Sequence, residues 1–171
     1  MQYKTLDKLL DLIDEPNRSA CRVLMEENIE RFKISPGALT KHQAWPNGYI
    51  QHLEETMNFG VELFKMMDDF RKLDFTISDV ILVLFLHDLE KPFRYVEPKK
   101  EFSNDEEKKK FINEMIGKYA IILDENHINA LQYIHGEGED YNKTERIQKP
   151  LAAFVHVCDT VSARMWFDWP K

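Results

Sequence analysis

The sequence predicts an all-α fold, and three observations carry that reading. Apolar residues recur at helical spacing in segment after segment, no run reads as a convincing strand, and the prolines fall between the periodic segments rather than within them. At the start, Thr5 to Asp14 carries Leu6, Leu9, Leu10 and Ile13 on one helical face, and Pro16 ends that segment or opens the next. Arg18 to Phe32 continues as a helix, with Val23, Leu24, Ile29 and Phe32 as its expected apolar stripe. Ile34-Ser35-Pro36-Gly37 breaks the chain, and an irregular stretch from Gln43 to Gly48 leads into a long helix. That helix is predicted over Tyr49 to Leu73, with Ile50, Leu53, Met57, Val61, Phe64 and Met67 along one side.

Thr76 or Ser78 caps the next helix, and Asp79 suits the positive end of its dipole. Val80 to Leu86 is apolar on every face, so this helix belongs at the centre of the molecule. Pro92 is expected to stop it, with Phe93 to Asn104 forming an exposed loop. Helices follow over about Asp105 to Tyr119 and Glu125 to Ile134, then a glycine-containing loop from Gly136 to Thr144. The last helix starts near Pro150 and carries Leu151, Phe154, Val155, Cys158, Val161 and Met165. The aromatic tail Met165-Trp166-Phe167-Asp168-Trp169-Pro170 is expected to dock on the body of the protein.

A chain of 171 residues with 43% hydrophobic content supports one core and is short for two. The expected organisation is therefore a single domain over residues 1–171, with 1–35 as N-terminal helices and 36–165 as the main body. Cys21 and Cys158 lie far apart and form no CxxC motif, which fits a reducing compartment. The first residues mix acids and bases among leucines and lack a signal-peptide core, so a cytoplasmic location is expected. The longest apolar run breaks at His87, which excludes a membrane-spanning helix. A net charge of −7 disfavours a surface for duplex nucleic acid. The basic run Lys108-Lys109-Lys110 follows Asp105-Glu106-Glu107, the order that a solvated helix prefers, with acids first.

The chemistry concentrates where the central apolar run ends in His87-Asp88. A histidine and a carboxylate at the edge of a core are costly without a partner, and a bound cation is an economical one. His52 on the long helix and Asp159 on the last helix also interrupt or border apolar stripes. Imidazole and carboxylate together suit Mn, Fe, Co, Ni, Zn or Mg, and the lack of a thiolate argues against a purely structural zinc site. Four protein ligands on an ion that prefers six leave positions for water and a substrate oxygen.

The order of these residues resembles the HD superfamily of metal-dependent phosphohydrolases, whose signature is H…HD…D on a helical bundle. His42-Gln43-Ala44-Trp45-Pro46-Asn47-Gly48-Tyr49-Ile50-Gln51-His52 is similar to the family segment HHAYPGGLLEH, found in members related to bacterial exoribonucleases. His87-Asp88-Leu89-Glu90-Lys91-Pro92 resembles HDIGKP, with Glu90 at the usual glycine. Ile134-His135-Gly136-Glu137 looks like HHGE without its first histidine. Lys149-Pro150-Leu151 and Asp159-Thr160-Val161-Ser162-Ala163 are similar to the closing helix, and the likeness spans about residues 36 to 165.

The resemblance implies an HD-domain helical bundle with His52, His87, Asp88 and Asp159 as ligands of one divalent ion. It implies Lys91 on the substrate phosphate, and His135 either as a ligand of a second ion or as a hydrogen-bond donor to the substrate. His42 is either a substrate contact over the pocket or an ordinary loop histidine. Asp88 is placed to orient the attacking water, since one of its oxygens can bind the metal while the other accepts a hydrogen bond. Loss of the first HHGE histidine favours one ion over two. Glu90 is either a helper or a solvated helix-end residue, and His127 and His156 are placed outside the site. The expected activity is hydrolysis of a phosphate ester, a nucleotide or short oligonucleotide, by metal-activated water. The alternatives are a catalytically inactive HD module that binds a nucleotide or protein partner, and an exonuclease-like phosphodiesterase. The loops Phe93 to Asn104 and Gly136 to Lys149 are expected to shape the pocket. Trp45, Phe93 and Tyr95 are candidates to stack on a base, with core packing as their commoner role.

Overall fold

A computed structural model of the chain describes residues 3–166; the aromatic tail lies outside the described residues from position 167 onward. The described residues fold as an all-α bundle without strands: α1 (Leu6–Leu10), α2 (Asn17–Ile34), α3 (Gly48–Phe70), α4 (Ile77–Leu86), α5 (Lys91–Tyr95), α6 (Asp105–Lys118), α7 (Glu125–Tyr133) and α8 (Pro150–Arg164). No helix among them is long and apolar enough to cross a membrane.

Helix α4 is the axis of the bundle. The Thr76 hydroxyl accepts from the Asp79 N–H and the Asp79 carboxylate accepts from the Thr76 N–H, a reciprocal cap that sets the helix start. From Val80 to Leu86 every side chain is buried, because α1, α3, α7 and α8 cover the helix on its several faces. Gly60 lets α3 approach closely: a Cβ there would lie 3.1 Å from Leu84 Cδ1 and 3.2 Å from Val80 Cγ1. The N-terminal leucines close one end, with Leu9 and Leu10 fully buried. Lys4 N–H and Leu6 N–H are held by Asn58 and Glu54 of α3.

Several expected boundaries shift for local reasons. Helix α1 ends at Leu10, because Leu12 N–H and Ile13 N–H turn back three residues to Leu9 and Leu10; Ile13 still reaches the core. On α2 the buried stripe is Cys21, Leu24 and Phe32, whereas Val23 faces solvent. Helix α3 ends at Phe70, and Met67 is exposed, as is Met165 after α8. Pro92 does not stop α4. That helix finishes at Leu86, the chain turns through His87 to Glu90, and Pro92 sits in the first turn of α5, where a missing N–H loses no helical bond. The loop therefore begins after Tyr95 rather than at Phe93.

His127, set outside the site on sequence grounds, ties α7 to the start of α4. Its Nε2 lies 3.0 Å from Asp79 Oδ1 and its Nδ1 lies 2.8 Å from Asp124 Oδ1. Burial pulls the imidazole pKa down, but Asp79 and Asp124 outweigh it and leave the pKa above the ordinary histidine value. Burial likewise raises Asp79, but His127 and Thr76 outweigh it and leave that carboxyl below its ordinary value. The imidazolium's contribution is complete below the unfolded histidine pKa of about 6.5 and is lost as pH rises through the raised folded value. The Asp79 contribution is present above about 3.9 and is lost as pH falls through the lowered value. His127→Ala is expected to cost about 1 kcal/mol at pH 6. That difference should shrink at pH 9 in urea denaturation of the two proteins side by side.

Candidate metal centre

Four side chains from three segments meet beneath the surface. His52 comes from the second turn of α3, His87 is the C-cap of α4, Asp88 follows it in the turn, and Asp159 comes from α8. His52, His87 and Asp88 are almost wholly buried and Asp159 nearly so. The α4 C-cap matters for the geometry: His87 N–H bonds Val83 O, and His87 Nδ1–H donates to Leu84 O at 2.7 Å. The ring is thereby held with Nε2 facing the other three groups.

His52 Nε2 lies 3.3 Å from His87 Nε2, 3.2 Å from Asp159 Oδ1 and 3.4 Å from Asp88 Oδ2. His87 Nε2 lies 3.2 Å from Asp88 Oδ2 and 3.7 Å from Asp159 Oδ1. Ligand atoms about 2.1 Å from one ion are separated by about 3.0 Å along an octahedral edge and about 3.4 Å along a tetrahedral one. Four of the five spacings, 3.2 to 3.4 Å, fall between these edges, and the fifth, His87 Nε2 to Asp159 Oδ1 at 3.7 Å, is longer than either. Asp88 Oδ2 is buried and is satisfied by charge rather than by a neutral donor. Its neighbour is the Lys91 ammonium, which forms a tight ion pair with that same oxygen. His52, His87 and Asp159 thus form a buried group able to hold a metal ion, with Asp88 beside it under the charge of Lys91.

The electrostatics follow from the packing. Burial alone would raise both aspartates, but Lys91 and His87 beside Asp88, and His52 and His87 beside Asp159, hold the carboxyls well below the ordinary range. Burial would lower His87, yet Asp88 and Asp159 raise its pKa to about 10. A proton therefore stabilises the cluster where a cation would otherwise sit, and the two compete for the same nitrogen. Glu90 is buried rather than solvated, and burial together with Asp88 pushes its carboxyl up to about 7.

A cavity of about 270 Å³ opens above Asp159 and is lined by Lys41, His42, Lys91, His135, His156 and Arg164. His135 does not join the buried group. Its exposed ring hangs over the mouth with Nε2 3.8 Å from Asp159 Oδ2 and 4.0 Å from Asp88 Oδ1. His42 faces the cavity with its ring 4.7 Å from that of His52, and burial followed by the His52 and Lys91 charges lowers its pKa to about 4. A second cavity, of about 290 Å³, reaches His87, Glu90 and His135 from the α6 side and includes Lys108 and Lys109 of the basic run.

Sequence reasoning missed several residues here. His156 lines the main cavity and donates from Nδ1 to Ile134 O at 2.5 Å. Lys41 and Arg164 add cationic charge at the rim. Gln43, Glu55 and Ser162 form a hydrogen-bonded group that reaches His42 and His52 and does not border the cavity. Glu55 and Ser162 each stand three residues beyond a predicted ligand on the same helix face, which is the signal that could have found them. The main cavity is shaped by the 41–42 segment and α8 rather than by the loops 93–104 and 136–149, of which only the preceding His135 borders it. Trp45, Phe93 and Tyr95 do not line it. Phe93 packs edge-on to Phe111 at 4.9 Å, and Trp45 Nε1–H donates to Gln51 Oε1. Compared with protein-family models, curated proteins and solved structures, the chain gives no significant match.

Proposed function

We propose that this chain is a metal-dependent phosphohydrolase of the HD type, acting on a small phosphate ester such as a nucleotide or short oligonucleotide. The observation that carries the reading is the buried group of His52, His87 and Asp159, close enough together to hold one ion, with Asp88 beside it and a cavity rimmed by cations above. His52, His87, Asp88 and Asp159 would hold the ion. A divalent cation bound there supplies Lewis acidity and lowers the pKa of a water toward neutrality.

The protein's own groups divide the remaining work. Lys41, Lys91 and Arg164 attract the phosphate and offset the charge that grows on its oxygens during transfer. Asp88 holds one oxygen toward the imidazoles and presents the other toward the mouth, where it accepts a hydrogen bond from the attacking water. His135, at the mouth, is placed to donate to the substrate. One ion is favoured over two, because Ile134 is buried and carries no ligand atom.

The test is phosphate release from a panel of nucleotides and short oligonucleotides, by protein supplied with manganese. Turnover that depends on metal is the expected result. Stoichiometric metal with nucleotide binding and no turnover would replace the enzyme with a binding module. Lys91→Ala is expected to lower kcat by about 100-fold or more without loss of bound metal, because the lysine neutralises charge on the reacting group, is not a ligand, and on removal frees Asp88 Oδ2. Metal content and initial rates on the same preparation check both halves.

A further inference from the structure

We infer that Glu55, which lies outside the metal centre, fixes the protonated nitrogen of one histidine in that centre and of one that lines the cavity above it, acting on His52 through Ser162 and on His42 through Gln43. Which groups can donate decides where each proton lies. A carboxylate accepts and cannot donate. Ser162 Oγ lies 2.7 Å from Glu55 Oε2, so its single proton points there. The same hydroxyl oxygen lies 3.0 Å from His52 Nδ1 and must accept, so Nδ1 carries the hydrogen. His52 Nε2 is then the nitrogen whose lone pair is available to an ion.

The second branch starts on the same carboxylate oxygen. Gln43 Nε2 lies 2.5 Å from Glu55 Oε2 and also 3.4 Å from Ser162 Oγ, so the amide nitrogen faces Glu55 and the amide oxygen faces away. That oxygen lies 2.6 Å from His42 Nδ1 and can only accept, which places a hydrogen on Nδ1 and leaves His42 Nε2 bare. Both rings therefore keep Nδ1–H, one with its open nitrogen toward the ligand cluster and the other on a ring that lines the cavity.

The surroundings show that this network is built rather than incidental. Gln43 is 2% exposed and holds a left-handed backbone with φ of 43°, a conformation a non-glycine residue keeps only where its surroundings enforce it. Its carbonyl accepts from both Gly37 N–H and Trp45 N–H, which locks the loop in that shape. Ser162 is 1% exposed. Glu55 lines a separate cavity with Tyr3, Gln43, Trp45, Gln51 and Glu54, none of which borders the cavity above Asp159. It is a positioning residue, since it acts only through others. The effect on metal affinity rests on the cluster being a metal centre, whereas the tautomers do not.

The experiment reads ring nitrogens directly. Nitrogen-15 spectra of the histidines distinguish an N–H nitrogen from a bare one, and are recorded at neutral pH on metal-free protein for His42 and on zinc-loaded protein for His52. Wild type is expected to show Nδ1–H on both rings. Glu55→Gln can donate as well as accept, so His42 should become a mixture of tautomers and zinc affinity should fall about 10- to 100-fold. Ser162→Ala should lower zinc affinity and leave His42 unchanged, with circular dichroism confirming that both variants fold. Wild-type His42 carrying Nε2–H would overturn the inference, and so would Glu55→Gln keeping both the His42 signal and wild-type zinc affinity. Wild type that binds no zinc or manganese would instead overturn the metal centre, and the His42 spectra would still decide the Glu55 to Gln43 branch.

Discussion

Protein carrying His87→Ala is expected to retain less than about a tenth of the metal bound by the parent chain and to gain no thermal stability from added manganese. The size of the effect follows from the role of the ring. His87 Nε2 faces Asp88 and Asp159 as well as His52, and its orientation is set at the end of α4 by the bond to Leu84 O. Alanine removes one ligand and also the group that neutralises two buried carboxylates, so the remaining three cannot simply close around an ion. In the parent, manganese at 100 times its Kd should contribute about 2.7 kcal/mol, a rise of roughly 5 to 10 °C in Tm for a domain of this size. Elemental analysis and a melting curve with and without manganese check the two parts. A parent chain that shows no such rise would remove the basis of the metal centre.

Leu84→Ala is expected to cost about 4 kcal/mol, near the upper end for such a truncation, and to lower Tm by roughly 10 °C. The reason lies across the helix interface. Leu84 is wholly buried, and its Cδ1 lies against Gly60, which has no side chain to move into the space left behind. A cavity that cannot collapse retains its full penalty. Val157, exposed on the outer face of α8, provides the contrast: its truncation should change stability by less than about 0.5 kcal/mol. Urea denaturation of the two variants at one pH measures the difference.

The central helix was readable because two independent signals coincide there, an apolar run and a Thr76/Asp79 cap. Three of the four ligand candidates were readable for a related reason: each is a polar residue set into an apolar face, and the structure gathers His52, His87 and Asp159 into one buried group with Asp88 beside it. His42 and His135 were found as residues near the site, but not their different stations, one beside His52 and one over the mouth. Glu55, Ser162 and Gln43 escaped because a polar residue on a half-exposed helix or in a loop reads as solvated, and only the tertiary fold joins positions so far apart in the chain. Lys41 and Arg164 escaped for the same reason. Pro92 was misread because a proline fits the first turn of a new helix as well as the end of an old one, and the choice depends on where the preceding helix finishes.

Helix α4 has a kinetic consequence as well. Its residues are shielded on several sides by α1, α3, α7 and α8, so its amide hydrogens exchange with solvent only when the whole bundle opens. His87 is anchored to the end of that helix through Leu84 O, so its ring keeps its place in the cluster until α4 itself opens. An ion held there would exchange through the openings over the cluster, the mouth beneath His135 and the cavity that reaches His87 from the α6 side, while the buried helix would set how long the ligand frame persists.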